Sequence, residues 1–180
     1  GEAPNGHIVG QRMAGPVIAG LPFYLLLNRS PEVEQFSLVP GGIAAAAWTA
    51  GAVLLLFLAL RPRLGTGRSL ATAAVFAFAT PTWSIPANML WTHPVTQFGL
   101  AGAAYAASRR RWWLAGVFLG FGMLARPHLA VVAAVLGLGM AWSKREIRPL
   151  VEVAIPTVGA LGVLLGWNRW MFGLWSIGGA

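Results

Sequence analysis

Apolar residues fall in long unbroken runs along this chain, without the one-in-two alternation of a half-buried strand, so the pattern predicts helices throughout. The clearest run is Gly41 to Leu60, GGIAAAAWTAGAVLLLFLAL, closed by Arg61-Pro62-Arg63 and a loop to Arg68 that holds Gly65 and Gly67. Further runs are expected at about 69–85, 95–108, 112–125, 127–142 and 150–167. The runs approach the roughly 20 residues that cross a bilayer. The expected fold is therefore all-α: a polytopic membrane helix bundle of about six transmembrane helices. The runs at 112–125 and 127–142 are short, and a re-entrant hairpin is the alternative there. Residues 14–27, AGPVIAGLPFYLLL, are apolar but interrupted by Pro16 and Pro22, and read as an interfacial outer helix rather than a crossing. The expected division is an outer loop with the interfacial helix (1–40), a helix bundle (41–167) and the start of a following outer segment (168–180).

Composition fits lipid as the solvent. The chain is 57% hydrophobic and 10% charged, against about 25% charged in an average soluble domain. Its net charge of +8 does not point to nucleic acid, because the cations sit in short turns between apolar runs. The turns at 61–68, 109–111 and 144–148 hold nine of the 13 Lys and Arg residues. The positive-inside rule makes those turns cytoplasmic and turns the 81–94 loop, Arg126 and both ends of the chain outward. Trp112, Trp113 and Trp142 then mark the inner interface, and Trp83, Trp91, Trp167 and Trp170 the outer one. The localisation expected is the cytoplasmic membrane, with multiple passes.

Cysteine and aspartate are absent, and the acids are Glu2, Glu32, Glu34, Glu146 and Glu152. Metal-ligand spacings, Walker loops and Ser/His/Asp sets are missing, so no metal or other cofactor is expected. Glu152 lies four residues after Arg148, the spacing of a local helical ion pair. Gly116-x3-Gly120 and Gly162-x3-Gly166 have the spacing that lets helices approach closely.

The candidate chemistry lies outward. Arg126, in the short turn LARPHL, breaks the charge pattern, and a guanidinium matches phosphate bidentately. Lipid headgroup contact or capping of the preceding helix are the alternatives. His128 follows two residues on. His93, in LWTHP, could donate to a phosphate or orient a hydroxyl, or simply bond backbone, and Gln97 lies one turn further. Arg12, beside His7 and Asn5, and Asn168 with Arg169 could reach a headgroup or be solvated. Trp83 and Trp91 offer faces to a lipid or a sugar.

These residues together resemble a known family. The run AFATPTWSIPANMLWTHPVTQ, followed by a span, RRR, a short span and LARP, looks like the bacterial membrane glycosyltransferases of the GT-C fold. The closest group is the glycosyltransferase family 39 and dolichyl-phosphate-mannose protein mannosyltransferase-like superfamily. The positions carrying the likeness are Ala79-Thr80, Trp83, Leu90-Trp91, His93, Gln97 and Arg126-Pro127. GHIVGQRMAGPVIAGLPFYLL resembles the end of that family's first outer loop, and WNRWMFG its element after a later span.

The resemblance implies transfer of a sugar from a polyprenyl-phosphate donor to a glycan, lipid or protein acceptor at the outer face. It assigns the lipid phosphate to outer cations, with Arg126 leading and His93 and Arg12 supporting. It also implies a carboxylate base for the acceptor hydroxyl. Without aspartate, that base is expected upstream of Gly1, with Glu2 a poor substitute, in a chain that reads as an internal piece of a longer protein and should be inactive alone. Ala79 stands where the family has glycine. A transporter or flippase and a non-catalytic membrane subunit remain the alternative classes.

Overall fold

A computed structural model describes residue 3, residues 5–6, 13–27 and 37–178. Among the described residues there are six helices and no strand: α1 (Ala14–Leu27), α2 (Val39–Phe78), α3 (Thr92–Ser108), α4 (Trp112–Ala125), α5 (Leu129–Lys144) and α6 (Arg148–Phe172).

Two of these, α2 and α6, are long and apolar enough to cross a membrane. The count of about six spans is corrected accordingly: α1, α4 and α5 have 14, 14 and 16 residues and α3 has 17. At 1.5 Å per residue these reach roughly 21–26 Å, short of a core of about 30 Å.

The expected loop at 61–68 is helical apart from Gly65, which takes φ 75 and ψ 169. That single residue folds α2 back on itself, since residues 46–57 of its first half and 70–78 of its second line one groove. The second half stops at Phe78 rather than Ile85. Pro81 explains the stop, because it disfavours helical backbone at Thr80 and has no N–H to continue the ladder. At the other end of the chain, α6 runs five residues past Trp167, to Phe172. Asn168 and Arg169 are thus helical, and Gly173 ends the helix in the left-handed region.

Small residues set the helix contacts. A Cβ on Gly116 would lie 2.6 Å from the Val153 carbonyl oxygen, and one on Gly120 would lie 2.9 Å from the Ala160 Cβ. α4 and α6 therefore pack in parallel through the first expected glycine pair. Gly162 and Gly166, the second pair, face open space. Gly99 and Gly102 do the same work for the antiparallel α3 and α4, against Gly122 and Phe118. Larger side chains fill what remains: Leu119, Met123, Leu129 and Val153 are buried together. Many large apolar residues point outward instead, among them Leu54, Val75, Val131, Val135, Trp142 and Val158.

This pairing gives the molecule two ends. The 109–111 and 145–147 turns share one, because the parallel α4 and α6 both start there. Gly65 and the arginines around it join them, since Trp48, near the start of α2, meets Phe98 of α3 and Phe121 of α4. The starts of α2 and α3 and the end of α4 lie at the other. There α1 crosses the helix ends in turn: Ala14 packs on Leu124 and Leu164, Ala19 on Val95 and Ala125, and Gly20 beside Leu90. The Trp48 indole donates to Ala19 O at 3.1 Å. Arg148 and Glu152 form the expected ion pair at 2.6 Å. Two of the tryptophans assigned to the interfaces turn inward. Trp112 is buried beneath Lys144, whose Nζ lies 5.5 Å from the ring centroid, and Trp167 is half-buried.

Candidate functional site

α4 ends where Pro127 pushes the residue before it out of helical backbone. Arg126 is extended there, with φ −142 and ψ 100, and its side chain crosses to the first turn of α3. Its Nε donates to Thr92 Oγ1 at 3.2 Å. One terminal guanidinium nitrogen lies 3.1 Å from His93 Nδ1 and 3.2 Å from Nε2. A nitrogen in the ring plane at nearly equal distance from both would collide with Cε1. The guanidinium therefore stands over the imidazole face, a stacking geometry that a planar cation favours.

The start of α3 adds to this charge. Trp91 at the N-cap supplies no side-chain acceptor, so the positive end of the helix dipole is uncapped beside the guanidinium. Among the described residues the acids are Glu146 and Glu152, both at the basic end of the molecule. No ion pair therefore offsets Arg126 among the described residues. Burial, and after it the Arg126 charge, hold the His93 pKa below its ordinary 6.5. A guanidinium, an imidazole, a hydroxyl and an uncapped helix start converge on one place, an arrangement that suits an anion with several acceptor oxygens.

Gln97 connects this cluster to the 79–91 loop. Its Nε2 donates to Thr82 Oγ1 at 3.1 Å, the Thr82 and Thr80 hydroxyls are 2.9 Å apart, and Thr80 donates to Phe76 O at 2.6 Å. Each hydroxyl has one proton, so the chain of donors runs from Gln97 through Thr82 and Thr80 to the end of α2. Gln97 Oε1 is buried and accepts nothing among the described residues. Thr82 also lines the groove between the halves of α2, about 640 Å³ in volume, with Val53, Phe57, Ala74 and Phe78 as walls and Trp83 at the loop end. From Ala46 to Phe57 the groove follows about 16 Å of helix.

The other expected site residues fare differently. Trp83 and Trp91 are exposed, at 61% and 59%. Trp83 packs on Phe78 with centroids 5.7 Å apart. His128 is exposed on its own turn, apart from the Arg126–His93 stack. Asn168 is buried and donates to Ser176 O at 2.7 Å, so it holds the chain after α6. Arg169 likewise donates to Gly173 O, and Asn5 to Trp170 O at 2.8 Å. Arg12, His7 and Glu2 lie outside the described residues. Thr92 and Thr82 were not singled out by the sequence; the one signal was their place beside His93 and Trp83. Among the described residues no three His, Asp or Glu side chains gather as a metal site would require. No family model, curated protein or solved structure matches the chain.

Proposed function

We propose that the chain is part of a multi-pass protein of the cytoplasmic membrane, a GT-C-like glycosyltransferase that takes a sugar from a polyprenyl-phosphate donor at the outer face. The observation that carries this reading is the Arg126 guanidinium stacked on His93 and bonded to Thr92 at an uncapped helix start, with no acid beside it among the described residues. A lipid-linked phosphate fits that charge, and its departure as leaving group would be stabilised by the same groups. The groove that ends at Thr82 and Trp83 suits the isoprenoid chain, because its walls are apolar and Gln97 joins it to the turn after His93.

Multiple passes are supported by the inverted distribution of side chains. Alanine and glycine dominate the helix contacts, while leucine, valine and tryptophan face outward. This is the pattern expected where lipid, not water, surrounds the helices. The short helices α3, α4 and α5 then pack beside α2 and α6 within the bilayer, with flanking arginines that extend up to the headgroups. In this reading the basic turns are cytoplasmic and the Arg126 end is outer. Deprotonation of the acceptor hydroxyl falls to a carboxylate outside the described residues.

Sugar transfer in membranes carrying the full-length protein of which this chain is part tests the reading. Arg126→Ala should abolish transfer from a polyprenyl-phosphate sugar while the protein level holds. Transfer at the wild-type rate would remove Arg126 from the site.

A further inference from the structure

Two turns at the basic end depart from a backbone preference in the same way. In the turn that closes α3, the Arg110 N–H bonds Ala107 O at 2.9 Å and the Arg111 N–H bonds Ala106 O at 2.9 Å. In the turn that closes α5, the Arg145 N–H bonds Trp142 O at 3.3 Å and the Glu146 N–H bonds Ala141 O at 3.2 Å. Both are Schellman motifs, whose left-handed residue is usually glycine. Gly173 fills that conformation after α6, with φ 75. At the basic end the residues are Arg110, φ 57, and Arg145, φ 55, and among the described residues no other non-glycine residue has positive φ. Left-handed backbone is costly for arginine. Both side chains are exposed, and neither makes a hydrogen bond or ion pair among the described residues. Beyond the cap's backbone bonds, which glycine would form equally, no side-chain hydrogen bond or ion pair among the described residues repays the strain.

The surroundings supply a reason. Lys144 lies over the Trp112 ring, which places the two turns side by side. Arg148 pairs with Glu152 at 2.6 Å, and Glu146 forms no ion pair among the described residues. Among the described residues Arg109, Arg110, Arg111, Lys144 and Arg145 form no ion pair. Of these cations Arg145 stands, with Glu146, on the rim of a hollow of about 950 Å³ walled by Leu138, Trp142, Ile147 and Leu150. A surplus of cations at the end of the bundle that carries an apolar hollow matches a ligand with a negative head and a hydrocarbon chain.

We propose that this end of the bundle binds one anionic phospholipid, its phosphate held by Arg145 and the adjoining Arg110 turn, its acyl chain in the hollow along Trp142 and Leu150. A zwitterionic lipid would leave the cations uncompensated, so the site selects for net negative charge. The site is separate from Arg126 and does not depend on what the other end does.

Native mass spectrometry of the purified chain with phosphatidylglycerol or phosphatidylcholine tests this. Phosphatidylglycerol should be retained at least about tenfold better. Arg110→Gly with Arg145→Gly should weaken its binding by about 25-fold, roughly fivefold for each charge. The same variant should melt no lower than wild type, because glycine adopts the left-handed region freely. Arg110→Asn with Arg145→Asn should behave alike, asparagine also tolerating that backbone. Arg61→Gln with Arg63→Gln removes equal charge elsewhere at the same end and should change binding by less than about twofold. Equal loss in that control would mean general charge attraction and would overturn the proposal. Equal retention of the two lipids would also overturn it, as would displacement of the lipid by millimolar inorganic phosphate.

Discussion

Gly116→Ala and Gly162→Ala make the same chemical change in two helices and should move stability in opposite directions. At Gly116 the new Cβ would lie 2.6 Å from Val153 O and 2.9 Å from Val153 Cα. Carbon–oxygen contacts of this kind normally begin near ~3.3 Å, so α4 and α6 must part by about 0.7 Å. A gap of that size forfeits roughly a quarter to a half of each dispersion contact across the crossing. Ala115, Leu119, Met123 and Val153, buried together there, would all lose packing. Overpacking costs about 1–3 kcal/mol, and alanine returns about 1 kcal/mol of helix propensity, so the net loss is up to about 2 kcal/mol. At Gly162 nothing lies within 4 Å, and the propensity gain of up to about 1 kcal/mol stands alone. Unfolding in detergent micelles, titrated with SDS and followed by far-UV circular dichroism, gives both values. Equal shifts of the same sign, or a Gly116→Ala variant more stable than wild type, would refute the close α4–α6 crossing.

His93 should titrate below 6.5 by imidazole NMR. Arg126→Gln should raise its pKa part of the way only, because burial is the larger cause. The fold favours the neutral ring, so this stabilisation is complete above pH 6.5 and is lost as pH falls through the lowered pKa; an inflection at or above 6.5 would contradict the stack. Gly15→Ala would place a Cβ 2.5 Å from Ala125 N; it should cost about 1–3 kcal/mol and shift the His93 resonances, since Ala125 precedes Arg126. Trp48→Phe removes the 3.1 Å bond to Ala19 O and should cost about 1 kcal/mol in the same SDS titration; no change would mean that α1 docks without it.

Local signals carried the helix pattern. α1 and α4 begin and end where the apolar runs at 14–27 and 112–125 do, because Arg111 and Pro127 bound one and Leu27 ends the other. The 61–68 segment looks like a loop in its arginines and glycines, yet only Gly65 leaves helical backbone. The extension of α6 is hidden by the polar Asn168 and Arg169, although no breaker occurs between Trp167 and Gly173. At the candidate site, Arg126 and His93 stood out as polar residues at the ends of apolar runs. Their contact across two helices did not, because reach between side chains leaves no trace in periodicity. Gly116 and Gly162 show the same limit: the spacing is identical, and only the neighbours distinguish a packed pair from an open one.

The most direct test of the central claim is equilibrium binding of a short-chain polyprenyl-phosphate sugar to the purified chain. Wild type should bind it, and should bind the matching isoprenoid alcohol far more weakly. Arg126→Ala should weaken binding by roughly 10–150-fold, the loss expected for hydrogen bonds to a charged partner. Arg126→Lys should recover part of it, since an ammonium keeps the charge without the bidentate fork. Undiminished binding by Arg126→Ala would contradict the claim that this arginine holds the lipid-linked phosphate.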